Sequence, residues 1–227
     1  MGLTDHSLMR LHVEATWGVR MASTARDDIE LLPDGAQPAW RLCAAGLAEG
    51  RAHIWRPDVS AMEREDLRRK VSEALAFPPL GAPLPGVHQE LAFSQVASPH
   101  LDEATARAIA RPLTEMDQSL VETFDPGWLH YYFNPQMRPL IGVIIAGQLT
   151  SVAHSSRRTT AACELGINTL TDARRNGYAL AATIVWTREV VQEGLVPIYS
   201  ADASNAASLR LAHAAGYRAL ARLATFE

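Results

Sequence analysis

The sequence predicts an α+β fold in which a mixed sheet is flanked by helices, and three observations lead there. Three apolar runs separated by tight turns, residues 140–146, 149–154 and 162–169, read as an antiparallel meander. One long amphipathic stretch, residues 178–192, follows the meander and opens into a further apolar run at 197–201, so a single crossover joins the strands. No chain of βαβ units and no internal repeat is present, which argues against a doubly wound parallel sheet.

The 227 residues, 48% of them hydrophobic, suffice for one large domain or two small ones with a real core. A net charge of −4 excludes nucleic-acid binding by bulk electrostatics. One lysine, Lys70, stands against 20 arginines, a bias that fits GC-rich coding better than a functional demand for arginine. Cys43 and Cys163 lie far apart in apolar surroundings and make neither a CxxC nor a zinc spacing, so no metal site is expected and a reduced, cytoplasmic protein is the default. No run resembles a signal peptide and none of 18 residues could span a bilayer, so no membrane partner is expected.

In chain order, Leu8, Leu11, Val13 and Trp17 make one face of a short helix. Residues 29–32 read as a strand closed by the turn Pro33-Asp34-Gly35, and 40–45 and 51–55 as strands around the connection 46–50. Ser60 and Glu63 form a capping box ahead of a helix carrying Met62, Leu67, Val71 and Leu75 on one face. The segment 77–86, with four prolines and two glycines, reads as a linker or boundary. It divides an N-terminal α+β extension or small domain, 1–86, from the main domain, 87–227.

Beyond it, 91–96 is a strand, and 101–124 is helical but interrupted by Pro112, giving two helices or one kinked one. The aromatic stretch 127–133 packs a core or walls a substrate pocket. The meander turns at Gly147-Gln148 and again over 155–160. The crossover helix presents Leu180, Ile184, Val185 and Val191 to the core, residues 205–215 form a last helix ended by Gly216, and 217–225 a last strand.

The chemistry centres on the stretch that links the third meander strand to the crossover helix. Cys163, Leu165, Ile167 and Thr169 alternate as a strand, Thr171-Asp172-Ala173 breaks the pattern, and Arg174-Arg175-Asn176-Gly177-Tyr178-Ala179 opens into the helix. A helix start leaves backbone N–H groups free and carries partial positive charge, so a basic turn there is an anion seat. Gly177 lets the backbone approach the anion closely. No GxxxxGK[ST] and no GxGxxG is present, which argues against a P-loop and a Rossmann site.

Here the sequence resembles a known family. The R-x-x-G-x-A at Arg174, Gly177 and Ala179 looks like the pyrophosphate loop of the GCN5-related N-acetyltransferase (GNAT) superfamily, and Asn205-x-x-Ser208 with Gly216-Tyr217 looks like its following motif. With Thr169 and Gly194-Leu195-Val196-Pro197 added, the wording is similar to the zwittermicin-resistance-like branch. The match covers about residues 125–225. The resemblance implies a V-splayed mixed sheet holding acetyl-CoA or another acyl-CoA, with no metal. Its pantetheine arm would bond the backbone near Ile167 and Thr169, and its pyrophosphate the loop Arg174, Arg175, Asn176, Gly177, Tyr178 and Ala179, with Asn205 and Ser208 behind. Asn205 also reads as a helix N-cap, which is compatible.

The resemblance further implies an N-acetyltransferase acting on the amine of a small molecule, an antibiotic or secondary metabolite being the suggested context. Relatives use a glutamate on the strand before the loop as base; Glu164 is on that strand but one residue nearer the arginine than usual, a slip that changes its face unless a bulge intervenes. His154 and Ser200 are the other catalytic candidates, with Tyr199 and Asp202 nearby in sequence. The tyrosine that relatives place on the last helix is replaced by Ala212. A non-catalytic acyl-CoA sensor or scaffold, and a different acyl-CoA reaction such as decarboxylation or O-acyl transfer, stay open as alternatives, as does a homodimer.

Overall fold

A computed structural model describes residues 3–22, 27–76 and 84–227. In chain order its elements are α1 (Asp5–Trp17), β1 (Asp28–Glu30), β2 (Leu42–Leu47), β3 (Gly50–Trp55), α2 (Ala61–Ala74), β4 (Val87–Gln95), α3 (Glu103–Ile109), β5 (Ala110–Pro112), α4 (Gln118–Phe124), α5 (Leu129–Tyr132), β6 (Ile141–Ile145), β7 (Gln148–Arg158), β8 (Ala162–Thr169), α6 (Tyr178–Gln192), β9 (Val196–Asp202), α7 (Ala206–Ala214) and β10 (Tyr217–Phe226). They are a mixed sheet flanked by helices, the fold class that the meander and crossover predict. Two compact units divide the chain: Met1–Ser94 with Ser200–Leu209 and Ala219–Glu227, and Gln95–Tyr199 with Arg210–Arg218.

The first unit carries the strand order β1-β3-β2-β10-β4, with β1 parallel to β3 and the β3-β2 and β2-β10 pairs antiparallel. On one face Met9 and Val13 of α1 pack with Trp40, Cys43, Ile54, Ala92 and Leu223. On the other, Leu67 and Val71 of α2 pack with Leu42, Trp55 and Phe226. Of the expected face of α1, Val13 is fully buried and Leu8 and Trp17 pack half-buried on this core, while Met9, His12, Ala15 and Thr16 are the further buried residues of the helix. The Ser60–Glu63 capping box forms as expected, because each residue satisfies a backbone N–H the helix cannot. Met62, expected on the buried face, is 77% exposed: it is the second residue of α2, ahead of the turn that docks. Most of the proline-rich segment, residues 77–83, lies outside the described residues.

The second unit carries β9-β8-β7-β6-β5. The meander β6-β7-β8 is antiparallel, and β8 joins β9 in parallel across the α6 crossover. Helix α6 packs on β5 to β8 with α3 beside it, and Trp186 donates to Ser155 of β7. On the opposite face Val121 of α4 and Tyr132 of α5 pack with Leu149 and Val152. Pro112 ends a three-residue edge strand between α3 and α4, where its missing N–H costs no ladder bond. Strand β7 runs on to Arg158, through residues 155–158 that the sequence assigns to a turn. The turn proper is 159–161, where Thr159 Oγ1 accepts from the N–H groups of Ala161 and Ala162. Val191 of α6, expected in the core, is 46% exposed, because Ala181, Ile184, Val185, Trp186 and Val190 make the buried stripe.

Candidate functional site

The site begins at one edge of β8. Ser151 Oγ donates to Asn168 O and Leu170 N to Thr150 O, so the backbone groups of even-numbered residues face β7. Val196 N donates to Ala161 O, so those of odd-numbered residues face β9. The β8-β9 ladder runs from Ala162↔Val196 to Glu164↔Ile198, whereas β8 continues to Thr169. Beyond that point the C=O of Leu165 and the N–H and C=O groups of Ile167 and Thr169 line an edge that has no paired strand among the described residues. A segment carrying amides of its own can bond to such an edge as a strand would.

The edge leads into the predicted basic turn. Thr171–Ala173 forms one 3-10 turn, and the Asn176 side chain braces the loop by donating to the carbonyls of Ala173 and Arg174. Arg175 (φ 65°) and Gly177 (φ 81°) both adopt the left-handed conformation, which aims the chain directly into α6. Gly177 sits at the N-cap of α6, where no side chain caps the helix. A Cβ on Gly177 would meet nothing within 4 Å, so the space above the first turn is open. The exposed Arg174 and Arg175, the uncapped N–H groups and this open approach fit a phosphate group.

On the even face of β8 lies a cluster that links three elements. Glu164 is buried, and its Oε2 accepts from Arg157 Nη1 (2.7 Å) and Ser156 Oγ (3.3 Å). The pairing shifts between Ser155 and Arg157, so Ser156 is the extra residue of a bulge. That bulge reverses the alternation: Ser155 points at Trp186, while Arg157 joins Glu164 on the opposite face. Two places further along β8, Gly166 leaves room for the His154 ring, whose Cε1 would lie 2.4 Å from a Cβ there.

His154 is 4% exposed, and burial pushes it down to about 4, so the ring is neutral at pH 7. Its Nε2 lies 3.0 Å from Tyr131 Oη, and its Nδ1 is buried without a hydrogen-bond partner among the described residues. Tyr131 and Tyr132 of α5 meet the imidazole edge to face. The Tyr132 hydroxyl donates to Asp125 and accepts from Asn168, and burial above all pushes it up to about 12. Tyr131 is also raised by burial, with Arg157 lowering and Glu164 raising it. The sequence reading missed Tyr131, Tyr132, Arg157 and Asn168 as a group; the aromatic stretch was its only signal.

The structure thus brings Glu164, His154 and the residues expected to face a cofactor, Ile167, Thr169 and Arg174 to Ala179, into one unit, on and beside β8. Thr169 Oγ1 bonds Ser151 Oγ at 2.7 Å. Ser200, Asn205 and Ser208 belong to the first unit. Asn205 Oδ1 accepts from Ser208 N (3.1 Å), the geometry of an N-cap at the start of α7. Ala212 is completely buried.

Residues 133–226 match the model of the GNAT acetyltransferase family. No curated protein matches the chain. Among solved structures it is similar to an acetyltransferase of the GNAT family from Colwellia psychrerythraea, at 15% identity over 78% of this chain and 76% of that one, with a TM-score of 0.53. It is also similar to a protein of the GNAT family from Novosphingobium aromaticivorans, at 25% identity over 64% and 68% of the two chains (TM-score 0.49). A GCN5-related N-acetyltransferase from Kribbella flavida aligns at 14% identity over 100% and 96% (TM-score 0.49). The Colwellia likeness shows the fold, and the family match spans β6 through β10, including the unpaired edge and the basic turn.

Proposed function

We propose that the chain is an acyl-CoA-dependent N-acetyltransferase of the GNAT type that acylates the amine of a small molecule. The observation that carries the reading is the continuity of the unpaired β8 edge with the open, basic start of α6 inside the family-matched segment. The edge groups of Ile167 and Thr169 would hold the amides of the pantetheine arm, and Arg174 to Ala179 its pyrophosphate. Bound acetyl-CoA supplies an activated thioester. The protein then has to hold an amine against it, take up one proton and polarise a carbonyl, which are tasks of position and charge.

Glu164 is the proposed proton acceptor. His154, neutral and buried, acts by positioning Tyr131. The likeness of Thr169, Gly194-Leu195-Val196-Pro197 and Asn205 to the zwittermicin-resistance-like branch supports an antibiotic or other secondary metabolite as the acceptor.

A second reading, an acyl-CoA-binding sensor without transfer, is favoured by the close pairing of Glu164 with Arg157 and by the buried Ala212. Thiol release from acetyl-CoA in the presence of an amine panel separates the two. The enzyme reading predicts amine-dependent release that the Glu164→Gln variant slows by about 100-fold or more. Tight acetyl-CoA binding with no release above background for any amine would leave only the sensor.

A further inference from the structure

Two hydrogen-bond donors on the even face of β8 are used up by nothing around them. The first is Tyr131. His154 Nδ1 is buried without a hydrogen-bond partner among the described residues, and a buried N–H left unpaired is among the costlier defects a fold can hold. The imidazole proton therefore sits on Nε2 and is donated to Tyr131 Oη at 3.0 Å. The Tyr131 hydroxyl, having accepted that bond, keeps its own hydrogen to donate. Tyr132 is the contrast: its hydroxyl donates to Asp125 and accepts from Asn168, so it is saturated.

The second donor is Arg157. The bulge at Ser156 turns it onto this face, where one nitrogen, Nη1, serves Glu164. Its side chain is still 52% exposed, and its other N–H groups have no protein acceptor among the described residues. The two groups act on each other electrostatically, the guanidinium lowering Tyr131 against the effect of burial. Beside them, Trp128 packs edge to face on Tyr131 (ring centroids 5.5 Å apart) and leaves 54% of its surface exposed. The carboxylates of this face are already engaged: Glu164 by Arg157 and Ser156, Asp125 by Tyr132.

Spare donors, one of them cationic, next to an open aromatic surface are complementary to an oxyanion on a planar or apolar body. We infer that the acceptor is an amine bearing a carboxylate and an aromatic or apolar side group, with the carboxylate held by Tyr131 Oη and Arg157 and the side group against Trp128. This deepens the acyltransferase reading and rests on it.

Calorimetry with acetyl-CoA first establishes the cofactor: absence of binding would remove the acyltransferase reading itself. Thiol release is then measured with matched pairs, phenylalanine against phenethylamine and tryptophan against tryptamine. The carboxylated member of each pair should be the better acceptor. Tyr131→Phe should raise its KM about tenfold or more, with acetyl-CoA affinity unchanged and the decarboxylated amine little affected, and Arg157→Lys should raise the KM of the carboxylated member more than that of the decarboxylated one. The 15N resonances of His154 should show a protonated Nε2 and a bare Nδ1. Preference for the decarboxylated amines, no transfer to any carboxylated amine while acetyl-CoA binds, an equal effect of both variants on the two members of a pair, or a protonated Nδ1 would each overturn the assignment.

Discussion

Gly177 meets two demands at once. Its φ of 81° is a conformation that costs a residue with a Cβ about 1–2 kcal/mol, and the space above it is empty. Gly177→Val should therefore lower unfolding free energy by about 1–2 kcal/mol in urea yet abolish the stabilisation that saturating acetyl-CoA confers on the wild type. Equal protection of both proteins would show that this turn does not face the cofactor. His154 makes a separate prediction. Burial holds it at about 4 in the fold, against about 6.5 for an unfolded histidine. Between those values the unfolded chain takes up a proton that the folded chain refuses, so acid favours unfolding. As pH falls from 6.5 to 4, the wild type should lose roughly 3 kcal/mol relative to a His154→Phe variant, with no such difference developing above pH 7. Parallel curves from urea denaturation would contradict the buried, neutral imidazole.

At the scale of elements, the bulge in β7 decides which side chains meet. Were Ser156 taken into the ladder rather than bulged out, the alternation would send Arg157 to the α6 side and leave buried Glu164 without its guanidinium, which is costly. Removing the partner itself, Arg157→Ala should thus destabilise the protein by about 1–3 kcal/mol; no measurable loss in urea denaturation would mean that Glu164 does not depend on this pairing. Gly166→Ala tests the neighbouring fit: its Cβ would overlap the His154 ring, so a loss of about 1–3 kcal/mol is expected, with Tyr131 displaced. These features show where sequence reading stops. The bounds of crossover helix α6 were legible from its apolar spacing and the Gly177 start, though not the exposure of Val191, and the capping box of α2 from Ser60 and Glu63 alone. A bulge has no such signature. Residues 155–158 read as turn because Ser-Ser-Arg-Arg is polar, whereas all four bond or pair their side chains within the fold. The closeness of Tyr131 to His154 depends on the helix α5 docking across β7, a tertiary fact that spacing does not encode.

For the whole molecule, the mixed sheet, the β6-β7-β8 meander and the parallel β8-α6-β9 crossover follow from the order of apolar runs, and the place of the basic turn from the break that ends the meander. The placement of β10 between β2 and β4, and of β1 parallel to β3, comes from pairings distant in sequence and was not legible. The unpaired edge of β8 belongs to the same class: the strand is visible in the sequence, but where β9 leaves it is not. That edge and the turn behind it are the centre of the functional account, and calorimetric titration of the full chain with acetyl-CoA tests them most directly. The account predicts saturable binding of one acetyl-CoA per chain, weakened at least tenfold when Arg174 and Arg175 are both replaced by alanine. No detectable heat, or an affinity indifferent to those arginines, would contradict it.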